Sequence, residues 1–246
     1  MREIGGRMSR IYVGTSGWHY DDWKERFYPG GLAKAKWLEF YASNFTTVEL
    51  NNTYYRLPSE EAVENWRGSV PEGFVFSVKA SRFITHMKKL RNAKDELALM
   101  LKRVGLLQEK LGPLLFQLPP SFERNDRVLE DFLSLLPSNT KGTFEFRHQS
   151  WLEDGVFDLL RKHRAGFCIF DQPGVPCPVV ATSDFAYIRF HGTAYATSYS
   201  DDELAGWARK IEGLEKGLES VFVYFNNDVR GYAINNARTL RQYLSG

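Results

Sequence analysis

The sequence has little cysteine. Cys168 and Cys177 are its only two thiols, and they form neither a CxxC pair nor a metal-ligand spacing. Reduced thiols in a cytoplasmic protein are therefore the expectation, with a disulfide between them as the minority reading. No run of eighteen apolar residues occurs, and the opening "MREIGGRMSR" lacks an apolar signal-peptide core, so neither membrane spanning nor secretion is indicated. A formal net charge of +2 is too small a field to argue for nucleic acid or an acidic membrane surface. No long Pro/Gly/Ser linker or low-complexity stretch marks an internal boundary. Residues 1–10 read as an N-terminal extension, with Met8 as a candidate start, and 11–246 as one domain. The dinucleotide fingerprint, a P-loop lysine, HxH and HExxH are also absent; "GTSGW" from Gly14 is only a lone glycine turn.

What is present is a globular composition, 43% hydrophobic and 15% aromatic. Eight short runs rich in β-branched and aromatic residues recur along the chain: "IYVGT" from Ile11, "TTVELN" from Thr46, "FVFSVK" from Phe74, "PLLFQL" from Pro113, "GTFEFR" from Gly142, "GFCIFD" from Gly166, "FAYIRF" from Phe185 and "SVFVYF" from Ser220. Such runs suit strands buried on both faces of a parallel sheet. Helical patterns lie between them. The stretch from Asn92 places Leu97, Met100, Leu101, Val104 and Leu111 on one face, with Gly112 as the stop signal. "NDRVLEDFLSLLP" starts on the capping residue Asn125, and "SDDELAGWARKIEG" carries the capping-box pair Ser200 and Glu203.

This alternation predicts an α/β fold, a TIM-like (β/α)8 barrel, with an open doubly wound sheet as its rival. The sixth crossover is too short for a full helix. Fourteen residues separate Asp171 from Ala186, three of them proline, which predicts an irregular or missing sixth helix.

Polar residues close every strand: Thr15, Glu49 with Asn51, Lys79, Gln117, Glu145 with Arg147, Asp171, Arg189 with His191, and Asn226. Side chains two apart on a strand point the same way, so Glu145 and Arg147 are expected to face the upper interior of the barrel, where this fold builds its active sites. Three acids (Glu49, Glu145, Asp171) would there meet three bases (Lys79, Arg147, Arg189), plus His191, and the formal charges cancel. Any single pair also fits a structural ion-pair plug. For the whole ring the functional reading is stronger, because desolvating this many charges is costly. A divalent metal on Glu49, Glu145, Asp171 and His191 is the minority reading, since three cations in the same cavity would repel it. No cofactor is favoured. His19 and His86 follow strands one and three and are expected near the mouth, His163 at the surface. The loop aromatics Trp18, Tyr20, Trp23, Tyr54, Tyr55, Trp151, Tyr195 and Tyr199 are mostly expected to pack, with Trp18, Tyr54 and Trp151 as candidate ligand contacts.

The segments "GTSGWHYDDW", "VELNNTYYRLP", "VKASRFITH", "LGPLLFQLPP", "FEFRHQSW", "YIRFHG", "YFNND" and "INNA" together resemble the YecE-like family, known as domain of unknown function 72, from about Ile11 to Leu244. The resemblance implies a soluble, intracellular TIM-like barrel whose members have no agreed activity. The family's motif positions fall on Glu49, Asn51, Lys79, Gln117, Glu145, Arg147, Arg189, His191, Asn226 and Asn227. Gln149 stands where proline is frequent, and Thr193 where a basic residue is frequent. Fold analogy alone offers both metal-dependent sugar isomerases and nucleases acting at abasic sites.

The leading expectation is an enzyme acting on a small anionic substrate, a sugar phosphate or nucleotide derivative, by metal-independent acid/base chemistry at the mouth. Glu49, Lys79, Glu145, Asp171 and His191 are the catalytic candidates. Thr15, Trp18, Asn51, Tyr54, Gln117, Arg147, Trp151, Arg189, Asn226 and Asn227 are the substrate-binding ones. Lys79, if desolvated, is alternatively a Schiff-base lysine. Hydrolase and isomerase or lyase classes stay open, as does oligomeric state. A nucleic-acid-binding or nuclease-like barrel and a non-catalytic ligand-binding barrel are the rival functions.

Overall fold

The expected strands all form. In the computed structural model, which describes residues 9–172, 174–192 and 197–245, they are β1 (Arg10–Thr15), β2 (Thr47–Leu50), β3 (Val75–Lys79), β4 (Leu111–Gln117), β5 (Gly142–Glu145), β6 (Gly166–Asp171), β7 (Phe185–Phe190) and β8 (Ser220–Phe225). Every pairing is parallel, in the order β1-β8-β7-β6-β5-β4-β3-β2. An open doubly wound sheet is excluded by the remaining edge, where β1 returns to β2. Ser16 bridges Glu49 and the Gly17 N–H donates to the Glu49 carbonyl at 2.8 Å. Gly14 permits this closure, because a Cβ there would sit 2.3 Å from the Thr47 carbonyl oxygen.

The strands alternate with α1 (Trp37–Ala42), α2 (Glu60–Gly68), α3 (Lys94–Val104), α4 (Asp126–Leu133), α5 (Asp154–Lys162), α6 (Asp201–Glu215) and α7 (Tyr232–Tyr243). No helix separates β6 from β7 among the described residues, as the short, proline-rich crossover predicts. Asn125 caps α4 by accepting from the Val128 N–H at 3.1 Å, and Ser200 with Glu203 completes the capping box of α6. Each cap contributes about 1 kcal/mol.

One helix is shorter than its apolar stripe suggests. α3 stops at Val104, a 3-10 run covers Gly105–Lys110, and Gln108 at φ 53° breaks the spiral. Leu111 and Gly112 therefore belong to β4, not to a helix face and its stop. Gly112 serves strand packing instead, since a Cβ would lie 2.5 Å from Val75 Cγ1.

Two apolar layers result. The larger fills the space between strands and helices; the smaller, inside the barrel, comprises Leu115, Cys168, Phe185, Tyr187, Phe222 and Tyr224, with Tyr12 and Val75 against it. Above this plug, Tyr224 Oη bonds Thr47 Oγ1 at 2.6 Å and Ser77 Oγ at 2.7 Å, so the transition to a polar layer is fully hydrogen-bonded. Cys168 and Cys177 are free thiols. Burial raises both, Cys177 to about 12, which keeps them protonated.

Candidate active site

The alternation that places Tyr187 and Tyr224 inside the barrel also carries Glu49, Glu145 and Arg189 inward at its C-terminal end, all at most 1% exposed. Arg189 is the hub. Its Nη1 donates to Glu145 Oε2 at 2.7 Å and its Nη2 to Glu49 Oε1 at 2.9 Å. Glu49 Oε1 also accepts from Ser16 Oγ, and its Oε2 from Tyr187 Oη at 2.6 Å. Glu145 Oε1 accepts from Gln117 Nε2 at 2.7 Å and pairs with Arg147 Nη2. All four carboxylate oxygens are thus partnered. Burial alone would raise the Glu145 carboxyl, but Arg147 and Arg189 outweigh it and hold the group well below the usual carboxylate range.

Above this floor the rim is less committed. Arg147 reaches Gln172 Oε1 through Nη1 and His191 Nε2, at 2.7 Å, through Nη2; its Nε is buried without a hydrogen bond. His191 Nε2 also lies 3.6 Å from Glu145 Oε1. Burial pushes this imidazole down to about 4, with Glu145 opposing. Asn226 Oδ1 accepts from Asn51 Nδ2 at 3.4 Å, and Asn226 lies 3.5 Å from both Arg189 Nη2 and His191 Nδ1.

Lys79 differs from both arginines. Its Nζ lies 4.5 Å from the Tyr54 ring centroid and makes no hydrogen bond or ion pair among the described residues. Burial, then the charge of Arg189, lowers its ammonium to about 8. The His86 ring meets Tyr54 edge-on at 5.2 Å. His86 Nδ1 lies 2.9 Å from Thr85 Oγ1, which also reaches the Ser81 carbonyl at 3.2 Å. A cavity of about 280 Å³ opens here, lined by His86, Gln117, Leu118, Pro120, Arg147, Gln172 and Val175. Gln172 and Val175, which pair with each other where a sixth helix would stand, form one wall of the cavity.

The family model described as "Protein of unknown function DUF72" matches residues 12–246. The chain belongs to the DUF72 family. The UPF0759 protein YunF of Bacillus subtilis is 26% identical, covering 95% of this chain and 94% of its own. A DUF72 family protein of Thermotoga maritima superposes with TM-score 0.89 at 31% identity, over 96% of this chain and 100% of that one. A DUF72 family protein of Enterococcus faecalis gives TM-score 0.84 at 21% identity, over 96% of each chain, a likeness of fold. None of these descriptions states a substrate or reaction.

The DUF72 barrel brings together Glu49, Asn51, Tyr54, Lys79, Gln117, Glu145, Arg147, Arg189, His191 and Asn226, and leaves five expected residues elsewhere. Thr15 faces outward, its Oγ1 2.9 Å from Tyr41 Oη on α1. Asp171 also points to the helix layer and accepts from Trp207 Nε1 of α6 at 3.2 Å. Asn227 donates to the Thr197 carbonyl and to Asn236 Oδ1 of α7. Trp151, fully buried, stacks on Phe146 at 4.8 Å and donates to the Phe122 carbonyl. Trp18 packs edge-on against Trp66 of α2 at 5.9 Å. His19 lies against Trp37 of α1 rather than at the mouth. Thr193 and Tyr195 fall outside the described residues.

Ser16 and Tyr187, two partners of Glu49, were not singled out from the sequence, although alternation from Tyr12 and from Arg189 points to them. Among the described residues no group of three or more His, Cys, Asp or Glu side chains could hold a metal ion. No helix among them is long and apolar enough to cross a membrane.

Proposed function

We propose that this protein is an enzyme that binds a small anionic substrate, of the sugar-phosphate or nucleotide-derivative class, at the mouth of the barrel and transfers protons there without a metal ion. The observation that carries the reading is the charge balance. With Asp171 turned outward, Lys79, Arg147 and Arg189 have only Glu49 and Glu145 as acids in this layer among the described residues, which leaves one positive charge in excess. Both carboxylates are matched by guanidinium groups, and the cation in excess is Lys79. An anion in the adjoining cavity would restore neutrality and give the Arg147 Nε an acceptor.

Roles follow from availability. Arg189 is enclosed between the two glutamates and positions the floor; Arg147, which lines the cavity, is the guanidinium placed to hold the anion. Glu49 and Glu145, ringed by donors, orient that floor; proton transfer falls to Lys79 and His86, with His191 as a second neutral imidazole. The engagement of every carboxylate oxygen supports a metal-independent reading. Thermal midpoints of the full chain measured with inorganic phosphate, ribose 5-phosphate and AMP at low salt test this, because a ligand that binds only the folded state raises the midpoint. The wild type should respond to at least one of the three and Arg147→Met should lose that response. No rise with any of them in the wild type would sink the reading.

A second reading has its own observation. Tyr55 is 73%, Phe83 41% and Met87 63% exposed beside the mouth, and Arg56 and Arg82 are exposed with them. Aromatic platforms interleaved with cations suit a single-stranded nucleic acid. Retention on single-stranded DNA at low salt, lost steeply as salt rises, would favour it; no retention at any salt would end it.

A further inference from the structure

We propose that Lys79 is a covalent nucleophile: its Nζ condenses with the carbonyl carbon of the substrate to form an imine, while the substrate's anionic group occupies the Arg147 cavity. This rests on the functional reading above and narrows its substrate class to a small anionic aldehyde or ketone.

The argument begins with placement. Lys79 is the last residue of β3, and its backbone is fixed on the β2 side, where Thr53 Oγ1 donates to its carbonyl at 2.7 Å. The next residue is fixed too, the Ala80 N–H donating to the Leu115 carbonyl at 2.8 Å. The side chain is half-buried, with its nitrogen over an aromatic face instead of in an ion pair. A lysine kept for structure would be expected to share one of the two glutamates in the same layer, yet Arg147, Arg189, Gln117, Ser16 and Tyr187 occupy their oxygens. Desolvation and cationic neighbours favour the neutral amine, the form that attacks carbonyls, and agree with the lowered basicity noted above.

The groups the reaction needs meet at Tyr54, whose ring carries Lys79 Nζ over its face and the cavity residue His86 at its edge. The neutral amine donates its lone pair to the carbonyl carbon, the C–O π pair moves to oxygen, and proton transfer gives a carbinolamine. A proton delivered to its hydroxyl lets water leave as the nitrogen lone pair forms the C=N bond. The sum is amine plus carbonyl plus one proton giving iminium plus water, with no change of oxidation state. The proton carrier is His86, which lines the cavity and touches the same Tyr54 ring as Lys79. The iminium restores a positive charge where Lys79 carried one, so the neighbouring glutamates stabilise it.

Site-resolved reductive alkylation tests this with the smallest probes, so that size cannot exclude them. Full-length protein is treated at pH 7 with limiting glyoxylate or formaldehyde and cyanoborohydride, and peptides are quantified by mass spectrometry. Lys79 should be labelled about tenfold or more faster than exposed lysines such as Lys36, because far more of it is neutral at that pH. Its preference for glyoxylate over formaldehyde should exceed that of Lys36 and disappear in Arg147→Met. Labelling of Lys79 no faster than Lys36 with either aldehyde overturns the imine, whatever phosphate does to the thermal midpoint. Fast labelling by both probes without a glyoxylate preference upholds the nucleophile and counts against the anion cavity alone.

Discussion

Arg189→Met removes a guanidinium that is 1% exposed and joins two carboxylates that are fully buried. Met fills much of the volume, so the loss is electrostatic rather than a cavity. Glu145 keeps Arg147 and Gln117, and Glu49 keeps only Ser16 and Tyr187. Breaking a buried pair by deleting one partner costs about 3–5 kcal/mol. At roughly 2–4 °C per kcal/mol for a chain of this size, the midpoint should fall by about 6–20 °C. Adding Glu49→Gln should recover part of this, because the uncompensated charge is gone, giving a coupling of about 1 kcal/mol or more in a double-mutant cycle. Urea unfolding followed by far-UV circular dichroism at pH 7 supplies the four free energies. The pH dependence adds an independent check. The folded Glu145 carboxyl titrates below its unfolded value, so its stabilisation is complete above about pH 4.5 and is lost as pH falls through the folded value. In Arg189→Met that carboxyl titrates higher, and the gap between the two proteins should narrow on acidification from pH 5. A loss under about 1 kcal/mol together with additive single effects would refute the claim that this network is a held floor.

His191 is buried neutral, and its fall from 6.5 to about 4 is worth on the order of 3 kcal/mol. Stability should therefore drop as pH goes from 6.5 towards 4.5, and His191→Gln should flatten that limb of a urea-midpoint curve; an unchanged slope contradicts the burial argument. Lys79→Met should stabilise the protein at pH 7 by about 1–2 kcal/mol, because the charged amine lacks an ion pair and is only half-buried. That gain should shrink between pH 8 and 10.5 as the wild-type amine loses its proton; an equal or lower midpoint at pH 7 would show that Lys79 is a structural cation. Gly14→Ala puts a methyl 2.3 Å from the Thr47 carbonyl and should cost about 3 kcal/mol in urea unfolding by forcing β1 from β2, whereas a loss under 1 kcal/mol would mean the seam yields easily.

How far the site was legible follows from what alternation can and cannot carry. The eight strands stood out because apolar, β-branched runs of four to eight residues are what a doubly buried strand requires. Glu49, Gln117, Glu145 and Arg189 followed because each lies on the inward parity of its strand. Asp171 and Thr15 also end strands, but on the outward parity: Cys168 points inward, so three residues later Asp171 points out, and Ser16 rather than Thr15 continues the phase of Tyr12 and Gly14. Reading the last polar residue of a strand, instead of counting in twos from an inner aromatic, produced both misplacements and hid Ser16 and Tyr187. Asn227 and Trp151 lie beyond the strands, where loop geometry decides orientation and no period applies. The cavity was legible only as a deficit, the crossover too short for a sixth helix; that Gln172 and Val175 would line it depends on a turn that the residue pattern does not specify.

The polar mouth divides by freedom of movement. Glu49, Glu145 and Arg189 have hydrogen bonds on every carboxylate oxygen and both terminal guanidinium nitrogens, so displacing any one leaves a buried charge uncompensated, and this sets a cost that thermal motion rarely meets. Such a layer cannot easily change protonation, since any proton uptake would unpair a neighbour. Groups that exchange protons more freely must therefore sit outside the closed set while still in its field. Lys79 and His86 meet both conditions: neither has an ion pair among the described residues, and the charges of the floor bear on both. The fixed charges bear on their basicity, and His86 and Arg147 line the cavity beside the segment that stands in place of a sixth helix. The proposed function thus places rigidity and reactivity on different residues of one ring. This is why replacing Glu145 should first be read as a stability experiment, and replacing Lys79 as a chemical one.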